Sequence, residues 1–310
     1  MKNLNQFKLC LFLLFMFVSG NFAKGDVMEN KNLYNEILKS AERSSWSSIA
    51  AGSKENPDEY LHINFKTGQK QTIFKNSKAQ LSESRIVISP NGKYGAFWVN
   101  EDYASYSLEI VDLISNQIKR ILNIKKGCCI AWSPDSKQIA FLTVDANTEY
   151  TLNVIDISNQ RSHKFLTGNI DFLTEQAWSY DGKKIVYSYK NSIFTYDINS
   201  KSVTSLTNGS WASWSPLSNT ILFFDAQNNS LNLFKMETGK NEHLLFGQEL
   251  GEGSLTLPVY WFPNGKYIFI GHLSPQDTEI GYPYVLDVES HEVEKLFDFS
   301  WCFSSWGRGN

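Results

Sequence analysis

Among the residues expected on functional loops of this 310-residue chain, one histidine comes with carboxylates: His272, with Asp277 and Glu279. An imidazole beside carboxylates is what general acid–base chemistry needs, since the ring moves a proton and a carboxylate orients the ring. The other histidines (His62, His163, His243, His291) are scattered, and no zinc-ligand spacing exists. Glu101, Asp102, Asp145, Glu149, Glu175, Asp225 and Glu252 form a second set, in which a pair of oxygens would suit Ca²⁺. Such carboxylates equally serve to keep a face solvated. Trp211 and Trp301 are a third set, able to anchor a protein partner or stack on a sugar ring. Their plainer role is to fill a core. No Gly-x-Ser-x-Gly elbow is present, because Gly251-Glu252-Gly253-Ser254-Leu255 lacks the required order. No residue is therefore assigned as catalytic.

The elements that must position these residues come from a repeat. One hexapeptide occurs five times: Ile88-Ser-Pro-Asn-Gly-Lys93, Trp132-Ser-Pro-Asp-Ser-Lys137, Trp178-Ser-Tyr-Asp-Gly-Lys183, Trp214-Ser-Pro-Leu-Ser-Asn219 and Trp261-Phe-Pro-Asn-Gly-Lys266. The steps from Pro90 to Pro134, Tyr180, Pro216 and Pro263 are 44, 46, 36 and 47 residues. Each hexapeptide turns the chain between a short apolar run and a β-branched, aromatic run, and two further strands follow. Four strands per period of this length predict blades of a β-propeller. Asp112, Asp156, Asp197 and Asp287 recur near the end of the third strand of their copies. Their repetition marks them as turn residues bonding their own backbone.

The expected fold is all-β, a six-bladed propeller over residues 45–310. Segments 46–52, 60–65 and 71–74 read as three strands of a first blade. The missing inner strand lies at the far end, in Phe299–Trp306, so a C-terminal strand is expected to close the ring. Residues 24–44 place Leu33, Ile37 and Ala41 at helical spacing, which predicts a short N-terminal helix. Residues 1–23 read as a signal peptide: Lys2 and Lys8 precede an apolar run from Leu9 to Val18, too short to span a bilayer. An exported protein, periplasmic or extracellular, with no stable membrane insertion after cleavage, is expected.

The formal net charge is −3 and no basic stripe exists, which excludes the electrostatic footprint of nucleic-acid binding. Past residue 23 the cysteines are Cys128, Cys129 and Cys302, an odd number. A bridge from Cys302 to either neighbour and buried free thiols both remain open. Adjacent Cys128 and Cys129 point to opposite faces of a regular strand and are poor partners for each other.

Trp132–Phe141 with Val154–Ile157, and Trp178–Tyr187 with Thr195–Ile198, resemble the TolB-like family of six-bladed propellers, whose repeats carry Trp-Ser-Pro-Asp-Gly-Lys, Ile-Ala-Phe and a Tyr-Val-x-Asp strand. The resemblance covers residues 45 to 310. It implies the fold and leaves function open, since the same repeats occur in TolB, in propellers of prolyl oligopeptidase-type peptidases and in oligogalacturonate lyases. The sequence departs from TolB in having room for only a helix where TolB carries an α/β domain, and from the lyases in its scattered histidines.

In a propeller, the loops from fourth to first strands and from second to third strands share one face. The partner-binding face is expected to include Arg85, Glu175, Trp211, Glu252, His272, Asp277, Glu279 and Trp301. The function expected is non-enzymatic binding of a protein or cell-envelope component by a monomer without a cofactor. The alternative is an enzyme acting on a carbohydrate or lactone through carboxylates or a divalent metal such as Ca²⁺.

Overall fold

A computed structural model describes residues 47–50, 59–64, 70–75, 80–100, 105–168, 170, 173–174, 176–262, 264–274, 277–295 and 301–302. The signal segment and the N-terminal helix expected at 24–44 lie outside them. The described chain is all-β apart from one 3-10 turn, Gly247–Leu250, and its strands form six antiparallel sheets. It divides into two compact units, one running through Cys128 and the other starting at Cys129.

The first unit holds a three-stranded sheet, β1 (Ser47–Ala50), β2 (Glu59–Asn64) and β3 (Lys70–Lys75). It also holds the four-stranded sheet β4 (Gln80–Ile88), β5 (Tyr94–Asn100), β6 (Tyr106–Asp112) and β7 (Ile118–Ile124). The β5 strand is buried on both faces, and Phe97, Trp98 and Leu108 of this sheet are excluded from solvent. Gly127 is required by that packing, because a Cβ there would lie 2.8 Å from the Trp98 ring.

The second unit is built of four sheets. One comprises β8 (Gly127–Trp132), β9 (Gln138–Val144), β10 (Tyr150–Asp156) and β11 (Ser162–Thr167). The next has three strands, β12 (Lys184–Tyr189), β13 (Ser192–Asp197) and β14 (Val203–Asn208), and its innermost position is held by an isolated bridge from Trp178 to Ile185. Then come β15 (Ser210–Trp214), β16 (Thr220–Asp225), β17 (Ser230–Lys235) and β18 (Lys240–Phe246). The last sheet is β19 (Ser254–Trp261), β20 (Tyr267–Ser274), β21 (Asp277–Asp287) and β22 (Val293–Lys295), with β23 (Trp301–Cys302) on β21. Leucines of β16–β18 close a core against Trp261, Ile268, Ile270 and Leu286.

The hexapeptide is a hydrogen-bond circuit. The Ser hydroxyl donates to the Asn or Asp carboxamide or carboxylate two residues on, at 2.8 Å for Ser89–Asn91, 2.6 Å for Ser133–Asp135 and 2.7 Å for Ser179–Asp181. It accepts the amide five residues on, from Tyr94, Gln138 and Lys184. The fifth position closes the turn with φ of 67° at Gly92, 60° at Ser136, 71° at Gly182 and 63° at Gly265, the left-handed region that favours glycine. In these three copies the Ser hydroxyl and the Oδ1 it meets are thus used in turning the chain.

The recurring aspartates behave as expected. Oδ1 of Asp112, Asp156, Asp197 and Asp287 each accepts backbone amides two and three residues on. At Asp112 the amide of Ser115 is the largest cause holding the carboxyl below its ordinary pKa, and at Asp156 it is the Ser158 hydroxyl.

Two expectations change. The C-terminal strand is found beside β21, where Trp301 pairs with Gly281 and Cys302 with Ile280, and the sheet β1-β2-β3 does not include it. His272, Asp277 and Glu279, expected on loops of the binding face, lie in strands. Leu273 pairs with Gly281 and Ser274 with Asp277 through a bulge, so β20 and β21 extend and only two residues part them. Alternating β-branched and aromatic residues at 280–287 favour this extension.

Candidate functional site in the loop end of the second unit

Antiparallel register puts the starts of β15 and β19, the turns after β16 and β20, and the end of β18 at one end of their sheets. Asn229 ties these pieces together. Its carbonyl accepts the Gly247 amide at 2.7 Å. Its side chain donates to the Gly253 carbonyl at 3.4 Å and accepts the Leu255 amide at 3.3 Å. Asn229 itself is left-handed, φ 48°, a conformation its short amide tolerates. The loop between β18 and β19 is therefore clamped at both ends. Its 3-10 turn is capped by Glu249, whose carboxylate accepts the Phe246 amide at 2.7 Å and lies 3.7 Å from His243 Nε2. His243 in turn stacks on Phe246 at 3.9 Å between ring centroids.

Beneath this loop lies His272, only 3% exposed. It pairs with Leu255 on one side and Tyr282 on the other. Burial lowers its pKa, and a hydrogen bond to the Gly247 backbone opposes that shift in part. Nε2 has no hydrogen-bond partner, so the proton given to the Gly247 carbonyl sits on Nδ1 and Nε2 carries a lone pair. Gly253 covers the ring: a Cβ there would collide with the Leu273 carbonyl and sit 3.0 Å from His272 Cε1. The Tyr284 ring meets His272 edge-on at 6.3 Å.

Trp211 lies within β15 and is partly exposed with φ 55°. The start of its strand is fixed by Gly209, whose amide donates to the Asn191 carbonyl at 2.9 Å. Deeper in the same unit, Gln176 clasps Trp261: its amide donates to the Trp261 carbonyl at 3.1 Å and accepts the Trp261 amide at 3.0 Å. Its own carbonyl accepts the Trp214 amide at 2.7 Å. The indole of Trp178 donates to the Ala131 carbonyl at 3.0 Å. Neighbouring inner strands are thus stitched to one another below the loop end.

Of the sequence-derived face, Glu252 is exposed on the clamped loop and His272 is buried below it. Asp277 and Glu279 lie in β21 and Trp301 in β23, paired with that same β21 strand. Arg85 lies in β4 of the first unit, and Glu175 falls outside the described residues. Asn229 and Gln176 were missed. Asn229 carried a weak signal as a turn amide before a strand, and Gln176 carried none in isolation. Cys128 is partly buried and Cys129 buried, and no disulfide joins the two. Among the described residues no group of three His, Cys, Asp or Glu is placed to hold a metal ion, and no helix is long and apolar enough to cross a membrane.

The TolB beta propeller domain matches residues 49–296. The chain belongs to the TolB β-propeller family. A search of curated proteins gave no match. Among solved structures, TolB from Acinetobacter baumannii superposes with a TM-score of 0.59 at 17% identity, over 78% of this chain and 60% of that one. The putative TolB from Agrobacterium tumefaciens gives 0.56 at 16% identity, over 77% and 88%. Oligogalacturonate lyase from Vibrio parahaemolyticus gives 0.58 at 12% identity, over 77% and 71%. At such identities the likeness establishes the TolB-type fold and nothing of activity. This family member spans about 60% of the length of the Acinetobacter protein.

Proposed function

We propose that this chain is an exported, non-enzymatic propeller of six blades that binds a protein or cell-envelope component through the loop end of its second unit. The observation that carries this reading is Trp211, a partly exposed indole held in a left-handed backbone at the end where Asn229 clamps the neighbouring loops. A rigid aromatic on a fixed scaffold loses little entropy when a partner covers it, which is why such residues dominate interface energies. Membership of the TolB family, whose named relatives include TolB proteins, supports a binding role and a periplasmic or extracellular place of work. The signal-like first 23 residues support export. A monomer is the expected state.

The test is co-purification from a cell-envelope extract with the mature chain as bait. Glu149→Lys/Glu252→Lys reverses two exposed charges of this end without touching its clamp. A partner retained by the wild type, competed by untagged protein and lost by the double variant is expected. Retention of nothing beyond an unrelated propeller control, or a partner indifferent to the reversal, would overturn the reading.

A further inference from the structure

His272 is enclosed with provision for one proton. The ring is 3% exposed, Nδ1–H donates to the Gly247 carbonyl, and Nε2 has no hydrogen-bond partner. A neutral imidazole tolerates this, since it has no second N–H to satisfy. An imidazolium carries two N–H groups, and the one on Nε2 would be buried without an acceptor. Among the described side chains around the ring, none offers a counter-charge. In β19 its register partner is Leu255, flanked by Ser254 and Thr256, and none of the three titrates. In β21 it faces Tyr282 across the ladder and Tyr284 edge-on. Lys295 of β22 lies 4.1 Å above the Tyr282 ring and adds a positive charge to this side. Asp277 and Glu279 stand further along β21, beyond the register shift. The turn after β16 brings Asn229, which is neutral, while its Asp225 accepts from Gln227 and Asn228. The loop above bears Glu249 and Glu252, both exposed, and Glu249 is engaged by the Phe246 amide and His243.

The ends of this loop are clamped, and the span between them is lightly held. Gln248, Glu249, Gly251 and Glu252 are exposed, and of the span Gln248–Gly253 only Leu250 packs against the apolar core, partly buried. The Gly253 carbonyl is held by one long bond, 3.4 Å from the Asn229 side chain. Gly251 at φ 110° and Gly253 at φ 136° give the span backbone freedom to swing. Gly253 lies against the ring at Cε1, the carbon next to Nε2. A segment with so few buried contacts opens at a small part of the cost of unfolding the whole.

We infer that this span is an acid-released cover: a proton on Nε2 of His272 lifts Gln248–Gly253 from the ring, while the Asn229 carbonyl keeps Gly247 in place. The closed form excludes the second proton and the open form admits it. The ratio of open to closed is therefore constant above pH 6.5, the ordinary value for histidine, and below it rises by about tenfold per pH unit until the open form dominates. Burial, which lowers the pKa of the ring, acts in the same sense. The device belongs to His272 and its loop alone, and it holds whether or not this end binds a partner.

The test is cleavage of the mature chain by a glutamate-specific protease between pH 7.5 and 4.5, with each rate divided by that of a synthetic peptide of residues 246–255 under the same conditions. Cleavage after Glu249 and Glu252 should keep a constant ratio down to pH 6.5 and then rise by about tenfold per unit. Cleavage elsewhere in the chain should not follow it. His272→Gln keeps a donor to the Gly247 carbonyl without titrating, and should hold the ratio constant throughout. Glu249→Gln, read at Glu252, removes the carboxylate that caps the loop and should leave the rise intact. The wild type decides the matter by itself if His272→Gln folds poorly: the Cε1 proton resonance of His272 must titrate over the range in which the loop becomes cleavable. A flat ratio in the wild type, a rise that survives His272→Gln or is lost with Glu249→Gln, cleavage rising equally across the chain, or titration of His272 while the loop stays uncut would each overturn the inference.

Discussion

Gln176 and Trp261 lie 85 residues apart, yet one side-chain amide meets both the N–H and the C=O of a single peptide residue, at 3.0 and 3.1 Å. The amide imitates a neighbouring β-strand at a place where two sheets have no ladder between them. At this position, two before the hexapeptide, the other copies carry Ile86, Ile130, Ala212 and Val259, all buried. Gln176 is the exception, and its polarity is explained by this pair of bonds.

Gln176→Ala should therefore strand a buried donor and an acceptor together. Each unsatisfied group costs about 1–3 kcal/mol, so a loss of roughly 2–4 kcal/mol is expected for this half-buried pair. Gln176→Glu separates the contributions. Ionised, it keeps the bond to the Trp261 amide but sets a charge against the Trp261 carbonyl; protonated, it restores both bonds. Chemical denaturation should show Gln176→Glu regaining stability relative to wild type on going from pH 7 to pH 4.5, which Gln176→Ala should not do. Parallel behaviour of the two variants would exclude the clasp.

The fourth hexapeptide copy departs from its siblings at Leu217, which is 65% exposed where the others place Asn or Asp. Ser215 Oγ there accepts only a long bond, 3.4 Å, from the Leu217 amide. Leu217→Asp should rebuild the circuit seen at Ser133–Asp135 and Ser179–Asp181. A gain of about 0.5–1 kcal/mol is expected, the size typical of a repaired turn. A neutral or destabilising result in thermal unfolding would show that the turn of this copy serves something other than the fold.

In both cases the local sequence explains the local structure. The hexapeptide turns, the second and third strands and the capping aspartates were legible because each follows from local chemistry: a fixed φ, a hydroxyl in reach of an amide, an alternation of apolar residues. The placement of Trp301 was not, because a short strand of aromatic and small residues suits several edges, and the choice of β21 depends on tertiary pairing. The extension of β20 and β21 escaped notice for a related reason: Asp277 read as loop, although it pairs with Ser274 beyond a register shift in the ladder. Of the candidate face, Glu252 could be found from loop position. That His272 is buried could not, since nothing in its neighbours signals the loop folded over it.

His272 makes stability depend on pH in a definite direction. Burial lowers its folded-state pKa below the ordinary value of 6.5, so the unfolded chain binds a proton more readily than the native one. Above pH 6.5 both states hold neutral imidazole and the group contributes nothing. As pH falls through 6.5 toward the folded-state value, native stability is progressively lost, and below that value the deficit is constant. His272→Gln, which can still donate to the Gly247 carbonyl, should flatten this part of the profile. Denaturation midpoints between pH 7.5 and 5 check it through the difference between wild type and variant, and a difference that does not change with pH would show that His272 titrates alike in both states.

Gly253 is the residue most sharply required by the loop end. With φ at 136° it occupies a region open essentially to glycine, and the space for a side chain is already taken by the Leu273 carbonyl and His272 Cε1. Gly253→Ala must therefore move backbone, and two routes exist. If the loop holds, strain accumulates and stability falls by roughly 1–3 kcal/mol. If the loop lifts, the Asn229 clamp opens at its Gly253 end, and proteolytic cleavage between Gly247 and Ser254 should rise severalfold while global stability changes little. Limited proteolysis beside a denaturation curve distinguishes the two. The clamp predicts the first outcome, because Asn229 also holds Gly247 and Leu255, on either side of the substituted residue. The same variant reports on His272, since a lifted loop admits water to Nε2 and should bring its titration back toward that of an exposed histidine, measurable by NMR.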